Sequence, residues 1–310
     1  MRSRHNSRLS VFKDEPGELH GIPLGDPMMQ LKKDFRRTVA GSSRFLRKWW
    51  RPVVASGAVL WVTGFFLLNP LDPVVVDEVQ SVEGKGLEWT AGQLGRWGDF
   101  SRYNLILFFT LWLIAFFSRS RLHQRLAVVV LLASVFAGLT CNLGKYLSGR
   151  PRPHAEVPDR FYGVAAAING WDFHSFPSGH TSTAFGASSA ILAGTGPVGM
   201  IAGGIATAFS GSISWARIYK DRHYPTDVLA GIWLGTVFGL ATGMPYRRLR
   251  RRTQRRLAFR AARARVEPEP AGSSEAACDG PAESQGALDD PAVSPGVTTR
   301  SSTQLERATL

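Results

Sequence analysis

A chain of 310 residues with 37 Lys and Arg against 24 Asp and Glu carries a formal charge of +13 and has room for one large domain or two small ones. Its mean hydropathy of −0.06 averages strongly apolar blocks with long polar ends, so the near-zero value conceals membrane segments. The charge would suit a nucleic-acid binder, but much of it lies in short Arg-rich stretches beside apolar blocks, a placement that speaks for membrane topology and against nucleic acid.

Residues 1 to 50 mix charge, Gly and Pro without helical or strand periodicity, and read as a mostly disordered cytosolic segment. They lack the short apolar core of a secretory signal, so the first apolar block is expected to stay in the protein. Just before that block, Arg47, Lys48, Trp49, Trp50 and Arg51 form the basic, aromatic edge of a membrane helix.

Six apolar blocks follow, at about 52 to 70, 103 to 118, 126 to 143, 181 to 195, 197 to 215 and 225 to 244. A helix needs about 20 residues to cross the hydrocarbon, so the second and fourth blocks must borrow flanking residues. In series they predict an all-α bundle of six transmembrane helices over residues 51–246. Arg119, Arg121 and Arg125 separate the second and third blocks, and Arg247, Arg248, Arg250, Arg251 and Arg252 follow the sixth. The first loop instead carries Asp72, Asp77, Glu78, Glu83, Glu88 and Asp99. Lys and Arg stay on the cytoplasmic side, so both termini are expected in the cytosol and the first, third and fifth loops outside. Residues 247–265 form a basic juxtamembrane segment suited to anionic lipid, and residues 266–310 are too poor in large apolar side chains to fold. Cys141, in an apolar block, and Cys278, in the tail, have neither ligand spacing nor a disulfide framework.

Three polar segments border the blocks on the outward side: residues 145 to 153, residues 176 to 181 and residues 215 to 227. They contain Lys145 with Arg152 and Pro153; Pro177, Ser178, Gly179 and His180; and Arg217 with His223 and Asp227. Each pattern is weak alone, but their order, spacing and common side make the set specific. The set resembles the phosphatidic acid phosphatase type 2 (PAP2) family, whose motifs read K-x6-R-P, P-S-G-H and S-R-x5-H-x3-D, over about residues 50 to 245. Ala216 departs from it, standing where the family has Ser. The resemblance implies a membrane lipid phosphatase working through a phosphohistidine, with His223 as nucleophile and His180 as acid and base.

The residue chemistry agrees with that division of roles. A phosphoryl group in transfer keeps negative charge on its outer oxygens, and Lys145, Arg152 and Arg217 supply three cations for them. Ser178 and Gly179 sit where a loop becomes a helix, a natural anion site. Asp227, four residues after His223, is placed to hold one imidazole nitrogen and leave the other free to attack phosphorus. Cations crowd the region and oppose a metal, so no metal and no cofactor are expected. Arg150 and Arg222 fall between the motif positions and read as interfacial side chains.

The expected partners are a lipid phosphate and the bilayer; oligomeric state is open. A phosphotransferase would use the same residues, and a catalytically silent lipid-binding protein would not retain both histidines. Substrate choice is expected to lie with Trp89, Trp97 and Phe100 and around Trp171, Phe173 and His174.

Overall fold

The computed structural model describes residues 27–266 apart from Glu156, and the described residues are helical without a strand. In chain order the helices are α1 (Pro27–Thr63), α2 (Asp72–Ser81), α3 (Lys85–Trp97), α4 (Phe100–Phe117), α5 (Arg121–Ser148), α6 (Val164–Asn169), α7 (Gly179–Gly194), α8 (Pro197–Tyr219) and α9 (Pro225–Val266). A π turn, Gly64–Leu68, and a 3₁₀ turn, Asn69–Leu71, join α1 to α2. The chain divides into two compact units, Met1–Ala261 and Ala262–Leu310; the packing and the site below belong to the first, and of the second residues 262–266 are described, as helix.

All six apolar blocks lie in helices, but they are not six equal spans. Among the described residues three helical stretches are long and apolar enough to cross a membrane: Met29–Ser81, Arg121–Ala155 and Pro225–Arg263. A fourth is added if α3 and α4, bent by 63° at their junction, count as one. Helix α7 has 16 residues, about 24 Å at the usual rise, less than the roughly 30 Å hydrocarbon core. Residues 181–191 of it are buried without a break. It is therefore the centre of the bundle, with protein on all sides of its small side chains.

The first polar segment differs from expectation. Residues 27–50 are helical and continuous with the first apolar block. Arg125 Nε meets Asp34 Oδ1 at 2.9 Å, Ser42 is buried, and a Cβ on Gly41 would stand 3.1 Å from Pro245. Docking partners far along the chain stabilise this stretch, and local composition carries no trace of them. The basic segment at 247–265 likewise continues α9 as helix. The expectations for residues 1–26 and 267–310 lie outside the described residues.

Helix α7 packs against α5 and α8. Leu126, Val129, Val130 and Ala133 of α5 meet Ala187, Ala190 and Ile191 of α7 and Tyr246 of α9, with Tyr103, Leu107 and Leu111 of α4 against them. Helix α9 reaches α7 through Gly231, Gly235, Gly239 and Gly243. A Cβ on Gly235 would lie 2.5 Å from Ser182 O, and one on Gly243 2.7 Å from Ala190 O. Spaced by four, these glycines form a stripe that lets two backbones touch, the small-residue packing that lipid surroundings favour. The stripe holds the start of α9 against the start of α7.

Gly235→Ala should therefore separate α7 from α9 and cost about 1–3 kcal/mol, as overpacking does. Gly204, on α8 with nothing within 4 Å of its Cβ position, is the control. Gly204→Ala should leave thermal unfolding in detergent unchanged or slightly raised, and equal melting of the two variants would count against the stripe as a contact surface.

Candidate active site

Four helix ends meet at one end of the bundle: the C-terminal ends of α5 and α8 and the N-terminal ends of α7 and α9. Lys145 stands in the last turn of α5, which Gly149 closes at φ 56°, in a left-handed cap. A Cβ there would lie 2.1 Å from Gly163 O, so the turn accepts only glycine. Beyond it Arg152 is anchored by its backbone, its N–H donating to Asp172 O at 2.7 Å.

The N-terminus of α7 faces these cations. Its first helical bond runs from Ser182 N–H to Ser178 O, so the N–H groups of Gly179, His180 and Thr181 have no acceptor within the helix. Lys145 Nζ lies 3.4 Å from where a Cβ on Gly179 would sit, close enough that the missing side chain makes room for it. Ser178 is fully buried; its hydroxyl accepts from Thr181 Oγ1 at 3.0 Å and its N–H donates to Asp227 O at 3.0 Å, which ties the start of α7 to α9. Cys141 is buried beneath, its thiol donating to Pro177 O at 3.3 Å.

Arg217 lies in the last turn of α8, and its carbonyl accepts from His223 N–H at 3.3 Å. The Nε atoms of Arg152 and Arg217 are buried and have no hydrogen-bond partner among the described residues. Buried donors are ordinarily paired, so two orphaned guanidinium N–H groups at one site call for an acceptor from outside the chain. His223 is also buried, and that burial pushes its imidazole down to about 3 despite nearby Asp227. It is therefore neutral at neutral pH, the state a nitrogen nucleophile requires.

The expected pairing of His223 with Asp227 is looser than its spacing implies: Nδ1 stands 3.7 Å from Asp227 Oδ2 and makes no hydrogen bond among the described residues. Asp227 is already engaged. Its Oδ1 accepts from Arg150 at 2.7 Å, and its Oδ2 accepts from the Ser175 hydroxyl at 2.5 Å and Tyr224 N–H at 2.9 Å.

Arg150 is the main correction to the sequence reading, which treated it as interfacial. It is 1% exposed, and all five of its N–H groups are used. Nε and one Nη2–H hold Asp159 as a fork at 2.7 and 2.6 Å, the other Nη2–H reaches Asp72 at 2.8 Å, and Nη1 donates to Asp227 and Thr226 Oγ1, both at 2.7 Å. Its guanidinium also lies 4.3 Å from the centre of the Tyr224 ring. Arg222, by contrast, is exposed as expected.

Asp72, Asp99, Asp159 and Ser175 were missed as site residues. In the sequence Asp72 and Asp99 read only as loop charge, and no motif spacing marks the other two. Asp72 opens α2, accepts from Thr226 N–H at 3.0 Å and from the Thr226 hydroxyl, and is 1% exposed. Of the residues proposed for substrate choice, Trp89 and Trp171 are exposed, whereas His174 is buried, 2.8 Å from Ala167 O and packed edge-on against Tyr146. Ala216 is fully buried with Ala91 of α3 and Tyr219. Position 216 thus faces a helix, and a small side chain suits it.

Residues 125–250 match the family model of the PAP2 superfamily. The chain is 36% identical over 116 residues to the lipid A 1-phosphatase of Rhizobium johnstonii, covering 37% of this chain and 45% of that one. It is also 36% identical over 116 residues to the lipid A 1-phosphatase of Rhizobium etli, covering 37% and 47%. The chain thus spans a little under half the length of these relatives. A crystal structure of a transmembrane PAP2 type phosphatidylglycerolphosphate phosphatase from Bacillus subtilis aligns with a TM-score of 0.46 at 18% identity, covering 71% of this chain and 98% of that one.

Removing the Arg150 guanidinium would leave three carboxylates facing one another. Arg150→Met should cost about 3–5 kcal/mol, the usual penalty for breaking a buried ion pair, and Arg150→Lys, which keeps the charge without the fork, should fall between. Thermal unfolding of the purified variants measures this; wild-type melting of Arg150→Met would remove the cluster from any structural role.

Proposed function

We propose that this chain, whose residues 125–250 are of the PAP2 superfamily, is a membrane phosphatase that cleaves phosphate from a lipid phosphate ester through a phosphohistidine. The observation that carries the proposal is the pair of buried Nε atoms on Arg152 and Arg217, without a partner among the described residues, beside a buried neutral His223. A phosphate monoester brings several acceptor oxygens, and planar guanidinium groups match them.

In this reading Lys145, Arg152 and Arg217, with the Ser178 hydroxyl and the Gly179 N–H at the start of α7, hold the outer oxygens of phosphate. Nε2 of His223 attacks phosphorus as the bond to the lipid oxygen breaks, and His180 gives that oxygen a proton. Water then attacks the phosphohistidine and loses a proton to His180, which restores both histidines. Asp227 needs to close less than 1 Å on His223 to bond Nδ1–H, and catalytic hydrogen bonds often tighten only when substrate binds. The Arg-rich second loop and tail favour the cytosol, which supports an outward-facing site on the opposite side. A cysteine at Lys85 should then react with an impermeant label only from outside, and labelling only from the cytosol would reverse the orientation.

The test is phosphate release by purified protein in detergent with a chelator present, on phosphatidate, phosphatidylglycerophosphate, a polyprenyl diphosphate and a lipid A 1-phosphate. The name of the relatives favours the last. His223→Ala should abolish both turnover and trapped phosphoenzyme. His180→Ala should be severely slowed on alkyl phosphates yet partly rescued on an aryl phosphate, whose leaving group needs no proton. No release from any lipid would overturn the function. Phosphohistidine surviving in His223→Ala but lost in His180→Ala would reverse the two roles.

A further inference from the structure

The corner between α3 and α4 lies outside the residues matched by the family model and outside all three motifs, yet it is built onto the site. A Cβ on Gly98 would stand 3.1 Å from His180 Cδ2 and 2.5 Å from Ile213 Cγ2, and one on Gly95 would stand 3.3 Å from Arg217 Nη1. Two glycines thus let the backbone rest directly on a motif histidine and come within contact distance of a motif arginine. The next residue, Asp99, places Oδ1 2.8 Å from His180 Nε2.

Asp99 occupies the N-cap position of α4, where an Asp side chain ordinarily accepts from the first turn of the helix. It makes no such bond. Its backbone carbonyl takes the N–H groups of Arg102 and Tyr103 at 3.1 and 2.9 Å, while the carboxylate turns to His180. The charged groups facing His180 are Arg217, Lys145 and Asp99. Both cations repel a proton on the ring, and a general acid must carry one when the leaving group departs. Asp99 supplies the opposing charge.

We propose that Asp99 is a positioning residue for His180: it accepts the Nε2–H, fixes the ring and favours its protonated form, leaving Nδ1–H as the proton given to the lipid oxygen. The inference rests on the function proposed above. The step is balanced: Nδ1–H passes to the departing oxygen as the phosphorus–oxygen bond breaks, His180 keeps Nε2–H on Asp99, and the attacking water later returns a proton to Nδ1. Asp99 itself gains and loses none.

Asp99→Asn and Asp99→Ser remove the charge, and both residues can cap α4, so if one variant fails to fold the other is read. Each should lower turnover of an alkyl phosphate about tenfold to a hundredfold, part of what general acid catalysis contributes. Turnover of p-nitrophenyl phosphate should change less than about threefold, and the alkaline limb of the alkyl-phosphate profile should move to lower pH. By NMR on imidazole-labelled protein, the titration of His180 should move to lower pH in the variants whether or not the protein is a phosphatase. Equal losses on the two substrates, or an unmoved His180 titration, would overturn the proposal. A wild type that releases no phosphate while the titration still moves would overturn the phosphatase reading and leave the Asp99–His180 coupling standing.

Discussion

The arrangement at the head of the bundle depends on the burial of the Arg150 guanidinium among three carboxylates. Moving such a group out of water is expensive, and the attraction between charges repays it only when every donor and acceptor is placed. Here all five N–H groups find oxygens. The carboxylates come from the start of α2, from the loop before α6 and from the start of α9, so one side chain joins parts of the chain that are distant in sequence. Asp72 also binds the Thr226 N–H, which places the residue before Asp227 under the control of the N-terminal third of the protein.

This cluster also determines which cations remain for a ligand. Arg150 and Arg152 are two residues apart and chemically identical, yet one is saturated and the other has a buried Nε without a partner among the described residues. The difference lies in the acids around them: Asp72, Asp159 and Asp227 neutralise Arg150, while Lys145, Arg152 and Arg217 are left to repel one another across the space where phosphate is proposed to bind. An anion entering there relieves that repulsion, so affinity for phosphate and stability of the empty site work against each other.

Backbone contact makes the site precise. The glycines of α9 hold it against α7 with no side chain between, so His223 and Asp227 keep their distance from His180 through rigid helix starts. Gly95 and Gly98 repeat the device on the other side of His180, where the α3–α4 corner rests on its ring. A site assembled from helix ends and backbone contacts has few soft torsions, which suits chemistry that is mostly positioning.

The helical character and the grouping of the motifs at one end of the bundle were legible in the sequence, because apolar block length and motif spacing are local properties. Lys145, Ser178, Gly179, His180, Arg217, His223 and Asp227 come together at that end. Local reading stopped at three points: the helix over residues 27–50, which is held by contacts with α5 and α9; the distinction between a lipid-facing span and the buried α7; and the pairing of charges. Arg150 looked like an interfacial arginine, and Asp72 and Asp99 looked like loop charges. Composition and apolar patterning fix which charged groups exist and which helices carry them. Which acid neutralises which base follows from the packed fold alone, because a buried charge takes the partner that packing brings within about 3 Å, and for Arg150 two of those partners are 77 and 78 residues away.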